Sequence, residues 1–535
     1  MKNNRFLVRL GLLFVIGGAL LAAERTAPIS SLEELRTLRQ QAAARQRRVI
    51  FNNDGNEPVY LCKDTSAEEF LRHRTTPLAG SFVDAIFYCT WSSGFGMFTH
   101  DTKVGEVFAT KEGLFSKNMA PEMLAAGTDP LRVVADFGHK HGIEVFWSFR
   151  LNDTHDGSGT DYGPIMFRAN RLKREHPDWL IGTPAQKPKF GAWSAVDFTR
   201  AEIRDLAFRY VEEVCRNYEV DGVEIDFFRH PVFFKRAAQT GTECNDDERR
   251  LMTELIRRIR AMTEVEGMRR DRPFLVAIRV PDSAEYCRAT GINLERWLAD
   301  GLVDLLVTGG YFQINEPGYS AALAHKHHVK FYPSLDDSRV RDEAARKLRT
   351  STAAYRGRAL SAWQAGADGV YLFNSFNPTD PIWRELGAPA LLAAADRDYF
   401  ASVLGQGAAA GGAYPHAGFM KISRLNPAVP IPLKPGAAAE TTFITGEAPP
   451  AIESATAPAA TLRLQFKTPP SPEAVTVSLN GTVLRGGTVR GEWIEFPLSP
   501  GQLRTGINTV RLELAAGAAA AVWTDLHCTV RPPGS

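Results

Sequence analysis

The stretch VDGVEIDFFRHP, residues 220–231, sets two carboxylates, Glu224 and Asp226, in a run whose neighbouring positions are apolar. Taking a carboxylate out of water is costly unless it is paired or put to use. Residues two apart on a strand share a face, so Glu224 and Asp226 point the same way. A run that is apolar on both faces yet carries two acids on one of them reads as a strand covered on both sides, with its acids turned toward an interior.

Seven further runs share this continuous apolar character: RVIFNND (48–54), VDAIFYCT (83–90), IEVFWSFRLND (143–153), FLVAIRVPD (274–282), LVDLLVTGGYF (302–312), VKFYPSLDD (329–337) and GVYLFNSF (369–376). Continuous rather than alternating hydrophobicity suits parallel strands buried by helices. The intervening segments carry apolar residues at helical spacing, as in residues 129–142, 198–218, 248–262 and 353–367. Eight strand-then-helix units predict an α/β fold, a (β/α)8 TIM barrel with enlarged loops. An open doubly wound sheet is the rival, but no Gly-rich phosphate turn follows the first strand.

The chain starts with Lys2, Arg5 and Arg9 ahead of an apolar run from Leu10 to Ala23 that ends in small residues. That order reads as a signal peptide over 1–23, with export to a periplasmic or extracellular location and no membrane span after cleavage. A helical lead-in follows over 24–47, then the barrel over 48–400. Small residues and prolines mark 401–440 as a linker. Short alternating runs at 461–466, 474–479, 493–498 and 508–514, with the Asn480–Gly481 turn signal, predict a small all-β sandwich over 441–535.

A net charge of +2 over 535 residues, with no basic block, speaks against a nucleic-acid partner. The six cysteines form no CxxC pair and no zinc-like spacing. They read as small buried residues, with Cys244 and Cys287 left open as a pair. Nothing in the sequence fixes the oligomeric state.

If 222–229 is a barrel strand, Asp226 lies nearest the C-terminal mouth, where barrel enzymes do their chemistry. Other run ends bring Asp54, Trp91, Arg150, Asn152, Asp153, Arg229, His230, Tyr311 and Asn374 toward the same mouth. Carboxylates, amides, arginines and aromatics together suit a saccharide, which offers hydroxyls and an apolar ring face. Cleaving a glycosidic bond takes two carboxyl groups, one protonating the leaving oxygen and one acting as nucleophile or base. Asp226 is the first choice for nucleophile or base. Glu224 lies one layer deeper on the same strand and reads as its support, or as the partner of Arg150 or Arg279. Asp282 and then Asp336, on other strands, are the choices for the acid.

The combination of FNNDG (51–55), VDAIFYCTW (83–91) and VDGVEIDFFRHP resembles the exported glycosyl-hydrolase-like barrels near the glycosyl hydrolase-like family ten group, over roughly residues 45–400. The resemblance implies the barrel fold, glycosidic hydrolysis of a poly- or oligosaccharide, and an acidic residue after the VDG strand, here Asp226. Many retaining barrels place the acid on the sixth strand, whereas the sixth run here ends TGGYF without a carboxylate.

No cofactor and no metal is expected. Two rival functions remain. A metal-dependent barrel hydrolase would draw on His100, Asp101, Asp153, His155, His230 or His325, His327 and His328, but there is no HxH after the first strand and no HExxH helix. A non-catalytic carbohydrate-binding barrel would use the same residue types as an enzyme.

Overall fold

The computed structural model describes residues 28–404, 415–447 and 459–533. The expected signal peptide, residues 1–23, lies outside the described residues. Eight parallel strands follow in sequence: β1 Val49–Asn53, β2 Val83–Tyr88, β3 Glu144–Arg150, β4 Gly222–Asp226, β5 Leu275–Val280, β6 Leu305–Thr308, β7 Lys330–Pro333 and β8 Val370–Phe373. Their order in the sheet is β8, β1, β2, β3, β4, β5, β6, β7. The ring closes where Ser334 bridges Tyr371 and the Leu335 N–H donates to the Tyr371 carbonyl at 2.8 Å. This is the predicted (β/α)8 barrel, and every predicted run holds one strand.

A recurring device sets the register at the bottom of the barrel. The carboxylates of Asp84, Asp221, Asp304 and Asp368 each accept a backbone N–H from the start of the preceding strand, from Arg48, Val145, Val276 and Phe331, at 2.7–2.9 Å. In the sequence these are VDA, VDG, VDL and ADG, so the Asp of VDG is a staple rather than a site residue. Its glycine is required by close approach: a Cβ on Gly222 would lie 2.4 Å from a Phe146 ring carbon and 2.6 Å from the Leu275 carbonyl.

The barrel interior is filled by Ile50, Phe87, Phe146, Ala277, Leu305, Val307, Tyr332, Tyr371 and Phe373, a packed core rather than a pore. A much larger apolar layer joins the outer strand faces to the helices. The helix Leu32–Ala43 precedes the barrel, and just after it the buried Arg47 meets Glu144 at 2.6 Å. The predicted helices appear as Pro130–Lys140, Ala201–Asn217, Asp246–Arg270 and Thr352–Gln364. The third of these is launched by a capping box between Asn245 and Glu248.

Two antiparallel sheets follow the barrel and share one apolar core. One contains Arg397–Phe400, Ala521–Arg531, Ala459–Phe466, Trp493–Leu498, Thr488–Arg490 and Ile431–Leu433; the other contains Ala438–Thr445, Gly506–Leu514, Val475–Leu479 and Thr482–Val483. Asn480 and Gly481, with φ of 52° and 83°, make the two-residue hairpin read from sequence. Strands at 397–400 and 431–433, and the first residues of 438–445, thus fall in segments read as barrel end and linker. All six cysteines are free and buried, so the Cys244–Cys287 pair is not formed.

The sandwich is welded to the barrel. A Cβ on Gly357, in the helix Thr352–Gln364, would lie 2.4 Å from the Asp398 carbonyl, which shows how closely the two meet. Nearby, the guanidinium of Arg349 binds both oxygens of Asp525, one at 2.8 Å, with both side chains 1 % exposed or less.

Candidate active site at the barrel mouth

Parallel register lines up Arg150 of β3, Asp226 of β4 and Arg279 of β5 in one row at the C-terminal end of the strands. Asp226 Oδ1 accepts the N–H groups of Phe228 and Arg229 at 2.9 and 3.0 Å, which fixes the carboxylate. Its Oδ2 lies 3.5 Å from Arg279 Nη1. Arg279 Nη2 in turn lies 3.5 Å from both oxygens of Asp336, beyond the end of β7. The guanidinium, fully buried, is covered by the Phe373 ring at 4.0 Å. Two carboxylates from different strands therefore flank one cation. Asp336 also accepts a short hydrogen bond from the Ser334 hydroxyl, and burial raises its pKa against the pull of Arg279.

Glu224 is one layer deeper and meets neither Arg150 nor Arg279. Its Oε2 accepts from Ser148 Oγ at 2.5 Å, Tyr371 OH at 3.1 Å and Asn52 Nδ2 at 3.4 Å, while Oε1 has no partner. Burial first, and the Asp226 charge second, push its pKa up to about 8. Burial and the Asp226 charge favour its neutral form against the hydrogen bonds it accepts from Ser148 and Tyr371, so the ion-pair reading of Glu224 gives way to a hydrogen-bonded one.

On the other side of the mouth Arg150 binds Asp54 through a short hydrogen bond and approaches Asp153 at 3.8 Å. Burial would raise Asp54, but Arg150, Arg229 and Arg74 together hold it below the usual carboxylate range. His155 Nδ1 lies 2.7 Å from Asp153 Oδ2, and Arg229 donates to His155 Nε2 at 2.6 Å. A guanidinium can only donate, so Nε2 accepts and Nδ1 carries the proton given to Asp153. His230 Nδ1 accepts the Thr154 N–H at 3.2 Å, and burial, then Arg229, lower its pKa well below the ordinary value.

Asp153, His155 and His230 are the one group among the described residues whose ligand-type atoms come within 4.8 Å of one another. Arg150 and Arg229 stand against it, and Arg229 and the Thr154 N–H occupy His155 Nε2 and His230 Nδ1. That surrounding fits a hydrogen-bonded anion network better than a divalent cation. His100 is buried apart against Thr90, and His325 pairs with Asp368 on the outer surface.

Other predicted residues have structural employment. Both Asp282 oxygens accept the Ile314 N–H and Oδ2 also takes the Asn315 N–H, at 3.0–3.1 Å, which ties down the loop after β6. Burial raises its pKa to about 6 against those bonds. Asn152 joins three loops, donating to the Val196 and Val232 carbonyls and accepting the Val196 N–H. Trp91 packs against Tyr60, Phe108 and Phe115 and is 7 % exposed, so its ring is core rather than a stacking platform. The loop that carries it holds Thr90, Trp91, Ser92 and Phe95 at positive φ, and Asn374 at the end of β8 has φ of 58°. Such backbone is costly for non-glycine residues and gathers at functional rims. Tyr311 lies at the mouth, edge-on to Phe373 at 5.7 Å.

Sequence reasoning missed Arg279 as the centre of the site and overlooked Tyr371 and Arg339. The signal for Arg279 was present: an arginine inside the apolar run FLVAIRVPD must have a buried counter-ion.

A cavity of about 120 Å³ adjoins this mouth and extends to the sandwich, with Asp282, Gly310, Asp336, Arg358, Tyr399 and Phe443 in its wall.

No protein-family model matches the chain, and no curated protein matches it. Among solved structures, a GH36 α-galactosidase of Geobacillus stearothermophilus in complex with stachyose aligns over 90% of this chain and 58% of its own, at 11% identity and a TM-score of 0.37. A Paenibacillus cycloisomaltooligosaccharide glucanotransferase aligns over 90% and 57%, at 10% identity and TM-score 0.32. A maltogenic α-amylase of Thermotoga neapolitana aligns over 86% and 98%, at 10% identity and TM-score 0.33. The chain spans a little under three fifths of the first two. At these identities and TM-scores the likeness is one of fold alone, without a match at the level of a family.

Proposed function

We propose that the protein is an exported glycoside hydrolase acting on a poly- or oligosaccharide at the mouth of the barrel. The observation that carries this reading is the pair Asp226 and Asp336, one at the end of β4 and one on the loop after β7, separated by the Arg279 guanidinium. Asp226, fixed by two backbone N–H groups, is the nucleophile or the base. Asp336, whose pKa burial raises, is the group suited to hold a proton for the leaving oxygen. It takes this role ahead of Asp282, whose oxygens are engaged by backbone. Export rests on the charged and apolar pattern of residues 1–23.

The experiment is release of reducing ends from a panel of plant, algal and bacterial glycans by wild type, Asp226→Asn and Asp336→Asn. Release by wild type and loss in both variants, with unchanged melting temperature, supports the assignment. Near-normal release by Asp226→Asn overturns it.

A second reading, a barrel that binds glycans without cleaving them, is favoured by the neutralisation of both carboxylates by Arg279. Saturable binding with no product from any glycan would carry that reading instead.

A further inference from the structure

Four arginines at the mouth, Arg150, Arg229, Arg279 and Arg339, divide into two kinds. Arg150 and Arg279 each lie between two carboxylates, Asp54 with Asp153 and Asp226 with Asp336. Arg229 and Arg339 have no carboxylate within ion-pair distance among the described residues. The Arg229 guanidinium gives one hydrogen bond, to His155, and its buried Nε has no partner. Arg339 makes no hydrogen bond or ion pair at all among the described residues, and its buried Nε is likewise unpartnered.

Both guanidiniums lie over the ring of Tyr311, at 4.9 and 4.4 Å from its centroid, so they belong to one patch. A half-buried arginine with idle donors is an unfilled binding capacity, because desolvated N–H groups without acceptors cost free energy. The patch adjoins the candidate catalytic pair. The Arg229 backbone N–H donates to Asp226, and Arg339 follows Asp336 by three residues on the same loop.

Resting on the proposed hydrolase reading, we infer that the saccharide bound here is anionic: a ring bearing a carboxylate or sulfate group is held by Arg229 and Arg339 beside Asp226. Two planar guanidiniums offer paired N–H donors that match the oxygens of such a group. A neutral sugar leaves the buried Nε of both guanidiniums without a charged acceptor in a partly desolvated site. The neighbouring carboxylates are turned toward Arg150 and Arg279, each guanidinium shared by two of them, rather than toward Arg229 and Arg339.

The test is calorimetric binding of full-length Asp226→Asn, which spares the ligand from turnover. The probes are oligosaccharides of glucuronate and of galacturonate, sulfated oligosaccharides, neutral gluco- and galacto-oligosaccharides of equal length, and inorganic sulfate alone. At least one acidic series is expected to bind tenfold or more tighter than its neutral counterpart, with affinity falling as salt rises. Uronate against sulfated probes tells which anionic group is read. Arg339→Gln and Arg229→Gln, each added to Asp226→Asn, are expected to erase the preference at unchanged melting temperature, while Arg339→Lys restores part of it. Equal or tighter binding of neutral oligosaccharides, no saccharide binding, inorganic sulfate binding as tightly as any saccharide, or a preference untouched by both glutamine variants would each overturn the inference. The hydrolase reading fails separately: acidic saccharides bound through Arg229 and Arg339 but never cleaved by wild type would leave the anion site standing, whereas cleavage of neutral glycans alone would sink the anion site and keep the hydrolase.

Discussion

Asp226 and Arg279 are register partners on adjacent strands, and Oδ2 of the first lies 3.5 Å from Nη1 of the second. The same guanidinium reaches Asp336 at 3.5 Å, so it is the common counter-ion of two buried carboxylates. Removing one member of a buried ionic group leaves the others uncompensated, at a cost of about 3–5 kcal/mol. Arg279→Met is therefore expected to destabilise the protein by that order in urea unfolding at pH 7. The loss should shrink as pH falls, because Asp336, whose pKa burial already raises, takes up a proton there. A variant as stable as wild type at pH 7 would show that the array is not an ionic one.

Glu224 predicts a pH dependence of opposite cause. Its pKa of about 8 in the folded protein lies above the value of about 4.3 expected of an unfolded chain. Between these limits the folded state keeps a proton that the unfolded state has lost, so stability falls as pH rises through that window. Glu224→Gln retains an oxygen acceptor and has no proton to lose. Relative to wild type it is expected to gain on the order of 3 kcal/mol between pH 4.5 and pH 7. Thermal melts of both proteins from pH 4.5 to 8 check this; parallel curves would mean that Glu224 is ionised in the fold.

The two acids of EID were legible as a problem in the sequence, and period-two alternation rightly put them on one face. Their partners were not legible, because register across strands decides them. Arg150 and Arg279 were visible as cations within apolar runs, yet nothing in one sequence shows that they serve the rim layer rather than Glu224. Asp282 followed its strand in the same way as Asp336 follows β7, and only the loop at 314–315 folding onto its oxygens separates the two.

If Asp336 is the acid, its loss falls on substrates that need a protonated leaving group. Asp336→Asn is expected to lower kcat on natural glycans by about 10²–10⁴-fold. Aryl glycosides whose leaving groups depart as anions should be far less affected, and the alkaline limb of the wild-type pH profile should vanish. Asp226→Asn should lose both substrate classes. Equal loss of both classes in Asp336→Asn would assign the acid elsewhere.

The eight barrel strands stood out because each is apolar on both faces, whereas the strand Ala521–Arg531, the longest of the sandwich, went unread. Its burial lacks the clean alternation of a half-exposed strand, since Thr524, Asp525 and His527 are buried too. Their partners, Arg349 and Asp398, lie more than a hundred residues away. Arg349 is on the barrel and Asp525 on the sandwich, and Arg349 also donates to the Ser402 carbonyl at 2.7 Å. Arg349→Met therefore leaves a buried Asp525 whose pKa burial already raises, and it is expected to cost about 3–5 kcal/mol. Because the sandwich supplies Tyr399 and Phe443 to the wall of the cavity beside Asp336, the same variant should also loosen that wall. Limited proteolysis is the direct check: faster cleavage between barrel and sandwich is expected in Arg349→Met, with one unfolding transition splitting into two. A single transition at the wild-type temperature would show that the two parts are held together by apolar contacts alone.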